Sequence, residues 1–192
     1  MKALSALAGK DLVWSSDVIA AYQKDQHHYY LYDGTEHCGT GYAEWDRGRV
    51  ATFDVWFLEG HYKVNANLLD PTLPTVAWQD GGQKSIVGFT RTKQDSFTAF
   101  GVMSTAAGRT LQWAPTHNFG YEHVVVAPDG TRVVTISGAV RLHLGGNAGH
   151  MLIAAQEATD PELPGLVAFA FAMAQVQVNR LYEQAPPALF RI

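Results

Sequence analysis

The sequence predicts a mainly β protein: a closed antiparallel barrel of about twelve strands around a buried C-terminal apolar helix, with a short N-terminal helix. Three observations carry this. Short β-type runs recur about every ten residues from His28 to Gln156, separated by turn signals. One segment near the C-terminus, Leu163 to Ala174, is free of charged and strongly polar residues. No alternation of strands with helices is present, which argues against a parallel sheet. The 192 residues are read as a single domain, 1–192, with a β-meander over 28–156 and the central helix over 161–184.

Taken in order, residues 16–26 read as a short helix. Ser16 is placed to cap it, Asp17 suits its positive end, and Val18, Ile19, Ala21 and Tyr22 supply an apolar side. The β-runs follow at 28–32, 39–46, 50–58, 61–69, 74–79, 84–92, 96–103, 109–114, 119–127, 131–137, 138–144 and 149–156. Between them lie turn formers such as Asp33-Gly34, Glu59-Gly60, Asp80-Gly81-Gly82 and Ala107-Gly108. The clearest hairpin has Pro128-Asp129-Gly130 between Val124-Val125-Val126 and Arg132-Val133-Val134.

The helix opens on Asp160-Pro161-Glu162, which offers an N-cap, a proline at the first helical position and an acid in the first turn. Leu166 to Ala174 is apolar all the way round, so this half must be surrounded by protein. From Ala174 the pattern turns amphipathic, with Gln175, Asn179 and Glu183 on a polar side, so the second half is expected to emerge. A dozen strands and one wholly buried helix are reconciled by threading the helix through a closed barrel. Its alternating alanines keep it slim enough for the bore.

A β-meander followed by Asp160-Pro161-Glu162-Leu163-Pro164-Gly165-Leu166-Val167-Ala168-Phe169-Ala170-Phe171-Ala172-Met173-Ala174 resembles the Tubby C-terminal-like superfamily, in its phospholipid scramblase and LURP-one-related branch. The resemblance covers about 28–184 and implies a twelve-stranded barrel threaded by the helix. Tubby domains bind phosphoinositides through clustered Lys and Arg. Here Lys84, Arg91 and Lys93, with Arg47 and Arg49, are the basic candidates, and nothing aligns them with that motif. No acidic run matches the calcium segment of the scramblases. The resemblance therefore implies a fold and carries over no functional residue.

Hydrophobic residues make up 47% of the chain and charged residues 17%, which excludes a disordered chain. A net charge of −4 with 14 basic residues argues against a nucleic-acid surface built on many phosphate contacts. The single cysteine, Cys38, forms no internal disulfide and excludes a multi-cysteine zinc site. The apolar stretch Ala3–Ala8 is shorter than a signal-peptide core, and about 12 clean apolar residues in the helix fall short of a membrane span. The expectation is a cytoplasmic protein with no transmembrane segment.

Eight histidines raise the question of metal. Glu36-His37-Cys38 holds three ligand types in one turn, but on a strand 37 points away from 36 and 38. No metal site and no cofactor is expected. Glu44 and Asp46 share a strand face and would form a catalytic pair in a desolvated pocket, yet they read as a solvated exterior opposite Gly41, Ala43 and Trp45. Glu122 and His123, adjacent in a strand, face opposite ways. Cys38 beside His37 has no setting that would lower its pKa. Trp45, Trp56, Trp78 and Trp113 fall in β-runs and are expected in the core.

With no convincing catalytic set, the chain reads as a non-catalytic binding module whose ligand is an anionic lipid head group or a partner protein. Lys84, Arg91 and Lys93, within ten positions on an expected hairpin over 84–93, are the ligand-binding candidates. The alternative is a small-molecule enzyme or carrier, an isomerase, cyclase or lipocalin-like barrel, with an open pocket and the helix packed outside.

Overall fold

A computed structural model describes residues 1–20, 25–46, 49–66, 75–79, 86–94, 99–116, 122–141 and 147–184. Twelve strands form a closed barrel in which every strand pairs antiparallel with its neighbours in sequence. They are β1 (Asp11–Ala20), β2 (Asp25–Asp33), β3 (Glu36–Asp46), β4 (Arg49–Phe57), β5 (Gly60–Asn65), β6 (Thr75–Gln79), β7 (Val87–Gln94), β8 (Ala99–Thr105), β9 (Thr110–Pro115), β10 (Glu122–Val126), β11 (Arg132–Arg141) and β12 (Asn147–Ile153). β1 closes the ring on β12, from Asp11↔Leu152 to Ser15↔Ala148. The helix α1 (Leu163–Gln184) runs inside it.

The expected helix over 16–26 is not formed. Residues 11–20 and 25–33 are paired strands, and the short helical element is a 3-10 turn at Leu4–Ala6. Leu12, Trp14 and Ser16 of β1 are buried while Asp11, Val13 and Asp17 are exposed, so a strand period governs this segment. The expected runs 131–137 and 138–144 are one strand to Arg141, bent at Gly138, where φ is +96° and the register with β12 shifts. The total of twelve agrees with expectation because one missed strand offsets one false division.

Strand alternation fills the lumen. Phe53, Val55, Val64, Ala77, Met103, Leu111, Trp113 and Met151 are buried in the core with the helix. Every residue of α1 from Leu163 to Gln177 is buried. Phe171 packs edge-on against Trp14 and Tyr29 at ring separations of 5.8 and 5.4 Å, and Phe169 lies 6.3 Å from Phe89 across the lumen. Aromatic rings thus fill the wide parts of the bore, while Ala168, Ala170, Ala172 and Ala174 keep the helix close to the wall. Gly165 also sits close to the wall: a Cβ there would lie 2.3 Å from Ile86 Cδ1, so the Ile86 side chain would have to shift to admit it.

The end where α1 begins is closed by polar fasteners around an apolar plug. Leu4 and Leu7 are fully buried, and Glu59 Oε1 accepts a hydrogen bond from the Leu4 amide at 2.5 Å. Arg109, beside the β8–β9 turn, makes a bidentate pair with buried Glu157 at 2.7 and 2.9 Å and a third bond to Asp160. Asp160 Oδ1 accepts from the Glu162 amide at 2.8 Å, and Glu162 Oε1 accepts from the Ala107 amide at 2.7 Å. Asp160 thereby caps the turn that leads into the helix, as its position in the sequence suggests.

Candidate functional site

Towards the end that α1 runs to, the lumen changes character. The buried polar side chains Ser16, His27, His123, Gln175 and Gln177 lie on β1, β2, β10 and the upper turns of α1. His123 and Trp113 stack at 5.2 Å, nearly parallel. The His123 Nε2–H donates to Gln177 Oε1 at 3.0 Å, which fixes the tautomer as long as the amide oxygen faces the ring. Full burial pushes His123 down to about 4 despite the opposing hydrogen bond it donates to Gln177, so the imidazole is neutral at physiological pH. Gln175 is fully buried and neither end of its amide has a partner.

Sequence reasoning missed this layer. His123 was placed correctly opposite Glu122, which faces outward and accepts from Thr116 Oγ1 at 2.8 Å. Gln175, however, reads as the start of an emerging polar helix side and Gln177 is assigned no role, whereas both are buried. The available signal was their two-residue spacing: 175 and 177 point to opposite sides of a helix, so no single polar face accounts for both.

On the outer wall, β2 to β5 carry a group of rings. His61 stacks on Trp56 at 4.5 Å and pairs with Asp54 at 2.7 Å. Tyr42, opposite Asp54 on β3, donates to Glu44 at 2.7 Å, and this bond with its carboxylate pushes the phenol pKa up. Tyr30 and Tyr32 flank His37. Trp113 is in the core as expected, but Trp56 faces outward and is 37% exposed. Glu44 is thus engaged with Tyr42 on the exterior, in keeping with a solvated face.

Glu36, His37 and Cys38 do not converge. The register with β2 shifts so that Tyr32 pairs with His37 and Leu31 with Gly39, leaving Cys38 as the inserted residue. Its buried thiol donates to the Glu36 carbonyl at 3.3 Å, while the Glu36 carboxylate is 2.6 Å from Lys2. Among the described residues no group of three His, Cys, Asp or Glu is arranged to hold a metal ion.

The basic candidates separate. Lys84 lies outside the described residues, as do Arg47, His117, His143 and the turn at 80–82. Residues 87–94 are a single strand between β6 and β8, so the described part of 84–93 is not a hairpin. Arg91 shares the face of Val87 and Phe89, is half-buried, and its Nε is buried. A register shift then separates it from Lys93.

No family model matches the chain, and no curated protein matches it. Among solved structures, a porin-like protein from Bacteroides uniformis is similar at 15% identity and a TM-score of 0.28. That match covers 66% of this chain and 49% of the other.

Proposed function

We propose that the chain is a non-catalytic binding module of the Tubby and scramblase-like plan. The observation that carries this reading is the position of α1: it fills the bore from Leu163 to Gln177, as the resemblance implies. An enzyme or carrier of the lipocalin kind needs the helix outside and the lumen open. Polar outer positions also support a barrel that works in water. Asp11, Asp17, Lys63, Thr90, Gln112, Arg132 and His150 are exposed on its strands, where a lipid-facing wall would carry an apolar band. The cytoplasmic reading rests on the lone thiol of Cys38.

The ligand in this reading is an anionic lipid head group or a partner protein, with Lys84, Arg91 and Lys93 as the basic residues to test. Co-sedimentation with phosphatidylcholine vesicles, with and without phosphatidylserine at low salt, separates the two. Binding that requires phosphatidylserine and is lost in the Lys84/Arg91/Lys93→Ala variant supports the lipid. With each residue worth about 1 kcal/mol, the effect should be weak and salt-sensitive. No binding, or binding that the variant retains, removes these residues as a lipid site and leaves the protein partner.

A further inference from the structure

Thr40 is a short side chain set among rings on the outer wall. It pairs with Tyr30 of β2 on one side and with Trp56 of β4 on the other. Along β3, strand alternation makes Tyr42 its next neighbour on the outward face. In the other direction Cys38 and Gly39 are both buried at the register shift, so the preceding outward residue is His37. All four outward positions around Thr40 are therefore aromatic. Tyr30, His37, Thr40 and Tyr42 are half-buried, and Trp56 is exposed.

The rings are braced from behind. His61 stacks on Trp56 with the two planes 6° apart, and it is the partner of Trp56 on β5, away from Thr40. One face of the indole is thus covered by His61, and the other looks towards Thr40. His28 lies against Tyr42 at 5.1 Å, and Tyr32 against His37 at 5.7 Å. Two carboxylates back this frame: Glu44 accepts from the Tyr42 hydroxyl and Asp54 pairs with His61. Exposed Lys63, opposite Asp54, offsets one of them, and the whole chain carries a net charge of −4.

Aromatic faces are electron-rich and attract cations. Tyr30 and Trp56 stand two strand spacings apart, about 10 Å. A guest over Thr40 is then about 5 Å from each, within the roughly 6 Å over which a ring holds a cation. A primary ammonium or a guanidinium would also need hydrogen-bond acceptors, and Glu44 and Asp54 are already engaged. A quaternary ammonium has no N–H to satisfy. We propose that the hollow over Thr40 binds a small organic cation bearing a trimethylammonium group, walled by Tyr30, Tyr42 and Trp56 with His37 closing the fourth side. The site is independent of the lipid reading, since it uses none of Lys84, Arg91 or Lys93.

The test compares choline with its neutral isostere dimethylbutanol, in which a tert-butyl group replaces the trimethylammonium, by calorimetry on the full chain. Choline should bind about tenfold more tightly than the isostere. Trp56→Ala removes a wall and Thr40→Leu fills the hollow with every wall kept, so each should abolish choline binding. Trp78→Ala, which removes a tryptophan opposite Lys63 and outside the cage, should leave it unchanged. Thermal midpoints verify that the variants fold, and Tyr30→Ala replaces either one that does not. Phosphatidylcholine vesicles separate the two sources of the group. Co-sedimentation that Trp56→Ala abolishes assigns a lipid-borne head group, and choline binding without co-sedimentation assigns a soluble molecule. The proposal is overturned if choline does not bind, if dimethylbutanol binds equally well, or if binding survives both Trp56→Ala and Thr40→Leu.

Discussion

Phe171 shows how one side chain locks helix to barrel. Its ring sits edge-on to Trp14 on β1 and Tyr29 on β2, the strands adjoining the closing seam. Phe171→Asp buries a charge with no described cation beside it, a cost of several kcal/mol and a large part of the stability of a domain this size. The expected outcome is a chain that does not fold, seen as loss of near-UV circular dichroism; a soluble variant with an unchanged midpoint would remove the central helix from the argument. His123 makes a prediction of the opposite kind, visible only on titration. Its folded pKa is about 4, against 6.5 for an unperturbed histidine. Between these values the unfolded chain binds a proton that the folded chain excludes, so this residue's contribution falls as pH drops from 6.5 to 4 and is constant below that. The loss is on the order of 3 kcal/mol. His123→Phe keeps a ring against Trp113 and should flatten stability over that window, although Gln177 loses the hydrogen bond from His123 and overall stability declines. Urea titrations at several pH values read both effects.

At the scale of elements, the sequence was most legible where one period held without interruption. The Val124–Val134 hairpin and the apolar helix were placed by their patterns, and the observed helix begins at Leu163 after the cap at Asp160. Errors arose where a polar residue points inward. Ser16 is 3% exposed on the inner face of β1, and Ser16-Asp17 imitates a helix start so well that local chemistry outweighed the strand alternation. Gly138 imitates a turn because its positive φ serves a bulge. The fastening of α1 was half legible: Asp160 was marked, but Arg109 lies 51 residues away and no local pattern reveals the pairing. Removing that guanidinium leaves Glu157, whose side chain is 7% exposed, without its bidentate partner. Arg109→Ala should therefore cost roughly 2–4 kcal/mol, and Arg109→Lys should restore less than half, because an ammonium cannot make the two parallel bonds. Chemical denaturation of the three proteins measures the difference. Equal stability of the Lys variant and the natural chain would mean that charge alone fastens the helix.

For the whole molecule the decisive step is closure, which joins Asp11 to Leu152 and so depends on the most distant strand pairing in the chain. Neither the seam nor the polar layer can be read from local sequence, since each is made by residues more than 50 positions apart. The seam has one steric condition. Gly149 on β12 lies opposite Trp14 of β1, and on its other side β11 turns at Gly138. A Cβ at 149 would lie 2.0 Å from the Ser137 carbonyl oxygen and 2.8 Å from Trp14 Nε1, itself bonded to that oxygen at 3.3 Å. The oxygen belongs to a paired strand and the indole is fully buried, so neither can retreat without opening the ring. Gly149→Ala should cost about 3 kcal/mol, the upper end for overpacking, despite adding one methyl group. Gly130→Ala is the fitting control: its φ of +88° carries the usual penalty of a left-handed alanine, but no atom lies within 4 Å of the added carbon. About 1 kcal/mol is expected there. If urea denaturation finds the two variants equally stable, the seam tolerates a wider spacing, and closure does not depend on the contact between Trp14 and Gly149.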